Sequence, residues 1–356
     1  MDKRIDKLRE IIADDNTAVL ITSDVNRFYY SGFKSSAGAV FITKSTATLL
    51  VDFRYFESAQ KQVLDKIQVI QYVKLFESLN ELIDKENIKS VIIEDDDVTV
   101  SRLKKLRNGL NCEIIDEFNL SDKVLDFRMI KTDLEIEKIK HAQKIAEKSY
   151  LELLNIVKCG VFEKKLALEL EHLMKLNGAE KQAFDIISIS GKNTSLPHGV
   201  PTDKLLEKGD FITFDIGCVY DGYHSDMTRT VALGYASEEM KKIYDIVLHA
   251  HKCAAEKIKA GNSCADVDNA ARNFIADNGY KDYFGHTTGH GVGLEIHEKP
   301  TIYMTNNLIL KAGMIVTDEP GIYLPDKFGV RIEDMYLVTD TGCEDLAKID
   351  KELIIL

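Results

Sequence analysis

Four acids and one imidazole in the second half of the chain have the types and surroundings that hold metal: Asp215, Asp226, His290, Glu319 and Glu333. Asp215 and Asp226 read as strand residues within FITFDIGCVYDGYHSDMTRTVAL (211–233). Glu319 follows the apolar run Met314-Ile315-Val316, and Glu333 falls in the alternating strand GVRIEDMYLV. Any one of them alone reads as a solvated strand-edge charge; the five together do not. A carboxylate at a core position is costly unless it is paired or bound to metal, and four that converge repel one another. A pair of divalent cations resolves the conflict. Ligation rich in oxygen, with one histidine and no thiolate, favours Mn²⁺, Co²⁺, Fe²⁺ or a catalytic Zn²⁺ pair over structural zinc. Two such ions about 3.5–4 Å apart activate a water near neutral pH, so the chemistry is hydrolysis.

Three histidines stand near the same segments: His198 in SLPHGVP, His286 in GHTTGHGVG and His297 in LEIHE. They read as proton carriers and oxyanion donors. Glycines 285, 289, 291 and 293 predict tight turns around His290 and the close approach of a ligand. His141, His172, His249 and His251 fall on helical patterns and read as structural, and His224 has at most a contact behind the ligands.

These residues need a frame that brings distant segments together. Thr132-x-x-Glu135 is a capping box opening a long helix, with Ile136, Ile139, Ala142, Ala146, Tyr150, Leu153, Leu154 and Val157 on its buried face. A first helix is predicted to run through NIVK to Gly160 and a second to stop at Gly178. EKIKA then reaches Gly261, and CADVDNAARNFIADN stops at Gly279. The glycines of each pair stand 101 positions apart, which suggests a duplicated helix–helix–strand unit. The predicted product is two pseudo-equivalent α/β halves packed as one curved sheet under helices, with carboxylates arriving from both.

Before this repeat, six apolar runs alternate with amphipathic stretches: AVLIT (18–22), AVFIT (39–43), TLLVD (48–52), IQVIQ (67–71), SVIIE (90–94) and EIID (113–116). That pattern predicts an α/β domain with a mixed sheet over residues 1–125, and a second domain over 130–356. A scaffold role suits the first domain best, although Asn26, Tyr29, Tyr30 and the Asp52-x-Arg54-Tyr55 cluster are placed to face a neighbouring site.

Composition narrows the function classes. The chain has 356 residues, a formal charge of −12, and 45% hydrophobic and 29% charged residues, which fits a folded two-domain protein. With no basic excess to neutralise phosphates, neither a nucleic acid nor a membrane is expected as a partner. No run approaches the length of a membrane span, and MDKRIDKLREII lacks the apolar core of a secretory signal. The 6 scattered cysteines form no Cys-x-x-Cys pair, which predicts reduced thiols and a cytoplasmic protein.

The segments SLPHG, FDIGCVYDGYHSDMTRT, GHTTGHGVGLEIHE, TDEPGIY and GVRIEDM resemble those of the Xaa-Pro peptidases, aminopeptidase P and prolidase, which share the pita-bread fold with methionine aminopeptidase and creatinase. NRFYYSGFKSSAGAVFIT with LLVDFRYFESA is similar to that family's amino-terminal domain. The resemblance implies an α+β protein, with a pita-bread catalytic domain after a smaller α/β domain. It implies two divalent ions per subunit, Mn²⁺ first and Co²⁺, Zn²⁺ or Fe²⁺ as alternatives. Asp226 chelates one ion and His290 binds the other, Asp215 and Glu333 contact both, and Glu319 completes the shell. His198 and His297 match the family's transition-state and substrate-binding histidines, Glu319 its general base and Arg331 an arginine that organises the site. Phe184, His286 and Ile296 match positions that shape a pocket for the proline ring, and Tyr323 follows Glu319 at the family's spacing. Ile216 departs from the aromatic residue expected there.

The activity implied is hydrolysis of the Xaa-Pro bond at the free amino end of proline-containing peptides, by an aminopeptidase first and by a prolidase limited to dipeptides as the alternative. A homodimer is implied as well. Methionine aminopeptidase lacks such a leading domain, creatinase works without metal, and a non-catalytic binding module of this fold typically loses ligands that are all present here.

Overall fold

In the computed structural model, which describes residues 4–64 and 66–356, the chain divides into two compact units, Met1–Phe127 and Arg128–Leu356. In the first, each of the six apolar runs forms a strand: β1 (Thr17–Ile21), β2 (Ala39–Ile42), β3 (Ala47–Val51), β4 (Gln68–Gln71), β5 (Ser90–Ile93) and β6 (Glu113–Ile115). They assemble in the order β4-β3-β2-β1-β5-β6. β2 is antiparallel to β1 and β3, while the pairs β1–β5, β3–β4 and β5–β6 are parallel, so the sheet is mixed. Fully buried Val, Ile and Leu strands need cover on both faces. Helices α1 (Arg4–Ile11), α2 (Asp24–Ser31), α3 (Phe53–Gln62), α4 (Leu75–Lys85) and α5 (Val100–Gly109) alternate with the strands, and α6 (Leu120–Met129) follows β6. Leu79, Leu82 and Ile83 of α4 and Leu106 of α5 pack with Leu20, Phe41, Leu50 and Ile93 of the sheet. The polar residues singled out here have internal partners. Asp52 caps α3 through the Arg54 amide and pairs with its guanidinium at 2.6 Å, Asn26 donates to Glu94, and Tyr55 bonds Ser36.

The second unit opens with α7 (Asp133–Leu154), whose capping box of Thr132 and Glu135 is formed as predicted. After it come α8 (Glu163–Leu176), β7 (Lys181–Gln182), β8 (Ile187–Ser190), β9 (Phe211–Ile216), β10 (Cys218–Tyr220), β11 (Tyr223–His224) and β12 (Met227–Ala232). The second half runs through α9 (Glu238–Ala255), α10 (Cys264–Asp277), β13 (Gly289–Gly291), β14 (Glu298–Ile302), β15 (Ile315–Asp318), β16 (Gly321–Leu324), β17 (Phe328–Arg331), β18 (Asp334–Val338) and β19 (Cys343–Asp345). The duplication is evident in the helices: α8 and α10 begin at Glu163 and Cys264 and end at Leu176 and Asp277, the spacing of the paired glycines. Gly178 and Gly279 follow them with φ of 108° and 88°, the left-handed stop that glycine allows. The first helix of each pair, however, ends at Leu154 or Ala255, short of Gly160 and Gly261, and turns fill the interval.

Nor is there one continuous sheet. β12-β9-β8 and β14-β13-β15-β18-β19 are separate ladders, joined at an isolated bridge between Thr228 and Glu333. Helices α7 and α8 cover Ile212, Phe214 and Ile216 of β9, while α9 and α10 cover Val316, Ile332 and Tyr336. Ile216 packs in that core behind Asp215, where an aliphatic side chain serves. Among the described residues no helix is long and apolar enough to cross a membrane, and all six cysteines are free.

Candidate metal centre

Four of the five candidate ligands sit where a strand stops, breaks or shifts register, and Asp215 sits within one. Asp215 lies in β9, opposite Thr228 of β12 and Ile187 of β8. Asp226 is not inside a strand as predicted; it occupies the break between β11, which pairs with β10, and β12, which pairs with β9. The chain changes ladder there, and the freed backbone turns the side chain inward. Glu319 follows the last residue of β15. Glu333 stands between β17 and β18, so its strand is also interrupted, and it is held by the bridge to Thr228. His290 lies in β13 between two glycines. A Cβ at Gly289 would meet the Thr317 oxygen at 2.0 Å, and one at Gly291 the Lys299 oxygen at 2.2 Å. These glycines admit neighbouring backbone rather than the ligand predicted from their crowding.

The five side chains converge from both halves of the repeat. Nε2 of His290 is 3.5 Å from Oδ2 of Asp226 and 3.4 Å from Oε1 of Glu319. Donor atoms of Asp226, His290 and Glu333 all lie within 4.8 Å of one another. All five line one cavity of about 410 Å³.

Hydroxyls and one guanidinium hold the acids in place. Thr228 Oγ1 donates to Glu333 at 2.6 Å, and the Glu319 backbone amide donates to Thr288 O. The Thr317 hydroxyl accepts from the His290 amide at 3.0 Å and donates to Glu319 at 3.4 Å. Arg331 donates to Asp215 at 2.6 Å, to Tyr323 Oη at 2.8 Å, to Thr228 Oγ1 at 3.2 Å and to Pro197 O at 3.2 Å. Tyr323 Oη in turn faces His286 Nε2 at 2.9 Å, while His286 Nδ1 meets the Thr287 carbonyl at 2.7 Å. Thr228, Thr317 and Tyr323 thus complete a frame in which the two threonines carried no visible signal; only their strand neighbours in SDMTRT and VTDEP point to them.

The electrostatics fit a cationic guest. Burial, then the charges of Asp215 and Glu319, hold the Asp226 carboxyl well above the usual carboxylate range. Burial and Asp226 do the same to Glu333. Burial pushes Glu319 up to about 8 against the opposing pull of Arg331. His290 is pushed down to about 4, by burial first and by His297 next, which keeps its imidazole neutral as a ligand must be. Four acids and one neutral imidazole, with Arg331 the cation in contact with Asp215, are a donor set suited to a divalent pair.

The other predicted residues fall into two groups. His198, His297, Phe184 and Ile296 line the cavity. The rings of His297 and His290 meet edge to face with centroids 4.4 Å apart, and burial with the nearby His198 lowers the pKa of His297. His286, Tyr323 and Arg331 form the hydrogen-bonded chain behind the cavity wall, and burial pushes Tyr323 up to about 12. His224 is buried against the Gly293 carbonyl. His251, read only as structural, sits between Asp318 and Asp334, the neighbours of Glu319 and Glu333, at 3.2 Å from each.

Residues 137–340 match the family model described as metallopeptidase family M24, and residues 4–130 match that of the creatinase/prolidase N-terminal domain. The Xaa-Pro dipeptidase of Pyrococcus horikoshii is 41% identical over 99% of this chain and 99% of its own. Among solved structures, an Xaa-Pro dipeptidase from Bacillus anthracis superposes with a TM-score of 0.95 at 40% identity, covering 99% of both chains. An X-Pro aminopeptidase from Thermotoga maritima superposes with a TM-score of 0.91 at 35% identity, covering 99% of this chain and 100% of that one.

Proposed function

The chain belongs to metallopeptidase family M24, behind a creatinase/prolidase N-terminal domain, and on that premise we propose that it is an Xaa-Pro dipeptidase. The carrying observation is the convergence of Asp215, Asp226, His290, Glu319 and Glu333 on one cavity, in a chain whose similar relatives include the Xaa-Pro dipeptidases of Pyrococcus horikoshii and Bacillus anthracis. The sequence alone ranks an aminopeptidase first; the names of these relatives favour the dipeptidase.

Asp215, Asp226, His290, Glu319 and Glu333 are the residues proposed to hold two divalent ions, with Mn²⁺ the first choice. When bound, such ions supply an activated water and a Lewis acid for the scissile carbonyl. We assign the protein's own part as follows. Glu319 takes a proton from the attacking water and passes it to the departing proline nitrogen. Like any amide nitrogen it needs a delivered proton to leave as an amine, and because it carries no hydrogen in the peptide the product is the secondary amine of proline. His198 and His297 donate hydrogen bonds to the carbonyl oxygen as negative charge develops on it. Phe184 and Ile296 supply apolar wall for the pyrrolidine ring, and Arg331 orients Asp215. His286 and Tyr323 hold Arg331 in place, while the acidic end of the cavity takes the free ammonium, so N-acylated peptides are poor substrates.

The Thermotoga maritima likeness supports the second reading, an X-Pro aminopeptidase. Purified enzyme assayed on Xaa-Pro dipeptides and Xaa-Pro-Yaa tripeptides across a series of divalent metals separates the two: faster tripeptide cleavage removes the dipeptidase assignment. Asp226→Ala and Glu319→Ala, each purified with Mn²⁺, are expected to lose turnover, and retained turnover refutes the site. A homodimer is proposed as well, and sedimentation at micromolar concentration that finds only 40.2 kDa species rules it out.

A further inference from the structure

We infer that Glu163, which lies outside the cavity, is a positioning residue that fixes the loop carrying His198; the inference rests on the peptidase reading above. Glu163 is the first residue of α8 and its side chain is fully buried. Its two carboxylate oxygens serve opposite ends of one loop. Oε1 accepts from the Ser190 amide at 2.6 Å and the Ser190 hydroxyl at 2.8 Å. Oε2 accepts from the Thr202 amide at 2.9 Å and the Thr202 hydroxyl at 2.7 Å. Asn193 Nδ2, inside the loop, donates to both oxygens, at 3.1 and 3.3 Å.

Between these anchors run the short 3-10 turn Gly191–Ser195 and the segment from Leu196 to Pro201, of which His198, Gly199, Val200 and Pro201 line the cavity. A buried carboxylate is unfavourable unless its lone pairs are met. Here amide and hydroxyl donors from the loop itself meet them, in charge-assisted bonds stronger than neutral ones. The tip of the loop is held from the other side, where Arg331 donates to the carbonyl of Pro197, immediately before His198, while also binding Asp215. The imidazole of His198 is therefore located against the acids by two fixed points, Glu163 at the base and Arg331 at the tip. A group poised to stabilise charge on a substrate depends on such location, because a displacement near 1 Å costs about 100-fold in rate.

The test uses the full-length, metal-loaded enzyme. Glu163→Gln keeps the volume but turns an NH₂ toward donors at one end of the loop, and Thr202→Val removes one hydroxyl donor without touching α8. Glu163→Gln is expected to lower kcat/KM for an Xaa-Pro dipeptide by about 10- to 100-fold with wild-type metal content. Combined with His198→Ala, it is expected to be no slower than His198→Ala alone, since both act through one imidazole. Thr202→Val is expected to show a smaller loss with the same non-additivity, and it decides the matter if Glu163→Gln does not fold. Wild-type activity in both variants, effects that multiply with His198→Ala, or loss of metal from Glu163→Gln overturns the inference. Wild-type protein that cleaves no Xaa-Pro dipeptide or tripeptide overturns the peptidase reading instead.

Discussion

Thr228 and Glu333 join the two halves of the repeat through three hydrogen bonds. Each backbone amide donates to the other's carbonyl, at 3.4 and 3.2 Å, and the Thr228 hydroxyl donates to the Glu333 carboxylate at 2.6 Å. The same hydroxyl accepts from Arg331, so one buried threonine touches both a candidate ligand and the guanidinium that orients another.

Thr228→Val keeps the shape and removes those two contacts. It is expected to destabilise the protein by about 1–3 kcal/mol, the cost of leaving buried polar groups unmet. Metal affinity is expected to fall about 10- to 100-fold, as for other partners that orient ligands. Denaturant melts and metal titration check the two separately, and unchanged metal affinity removes Thr228 from the site's frame.

Protein stripped of divalent ions is expected to lose stability as pH rises. Asp226, Glu319 and Glu333 have folded pKa values raised by burial and mutual repulsion, while in the unfolded chain they lose protons near 3.8 to 4.5. Above about pH 7, where His224, His286 and His290 are neutral folded and unfolded alike, the folded state binds more protons than the unfolded one, so stability falls as pH rises through about 8 for Glu319. Added Mn²⁺ is expected to cancel the fall. Thermal melts with chelator and with metal, at about pH 7 and about pH 9, test this; a metal-free protein more stable at the higher pH contradicts it.

Arg331→Lys keeps the charge but loses the planar fork that reaches Asp215, Tyr323, Thr228 and Pro197 together. The expected result is a loss of about 100-fold in kcat/KM with little change in fold. Steady-state kinetics alongside circular dichroism decide it, and near-wild-type turnover shows that a point charge suffices.

His251 is almost fully buried between Asp318 and Asp334, with Tyr336 Oη at 3.0 Å from its Nε2. Burial alone lowers its pKa, but the two aspartates overcome that and hold it above the ordinary value. Arg229 and Lys351 complete the cluster on Asp334 at 2.7 and 3.1 Å. His251→Leu leaves buried carboxylates with one cation fewer and is expected to cost about 3–5 kcal/mol. A denaturation midpoint close to wild type contradicts that cost.

Much of this molecule is legible in one dimension. The six apolar runs of the amino-terminal unit all became strands: continuous runs such as AVLIT and TLLVD form buried ones, and the alternating IQVIQ a half-exposed one at the sheet edge. The capping box at Thr132 and the 101-residue offset of the helices were readable because they are local rules of hydrogen bonding and chain reversal. Five residues suited to metal stood out by type, since acids among apolar neighbours need a reason.

What the chain order could not express is where strands change partner. Asp226 and Glu333 sit in breaks, because the segments on either side pair in different ladders, and a period-2 pattern runs through such a break without a mark. The placing of Thr228, Glu163 and His251 is likewise a matter of distant residues: Thr228 finds Glu333 only when the two halves close on each other, while Glu163 and His251 find Ser190 with Thr202, and Asp318 with Asp334, only when their own halves fold. Residue chemistry thus named the donors, and tertiary pairing alone decided which backbone breaks aim them and which neighbours keep them aimed.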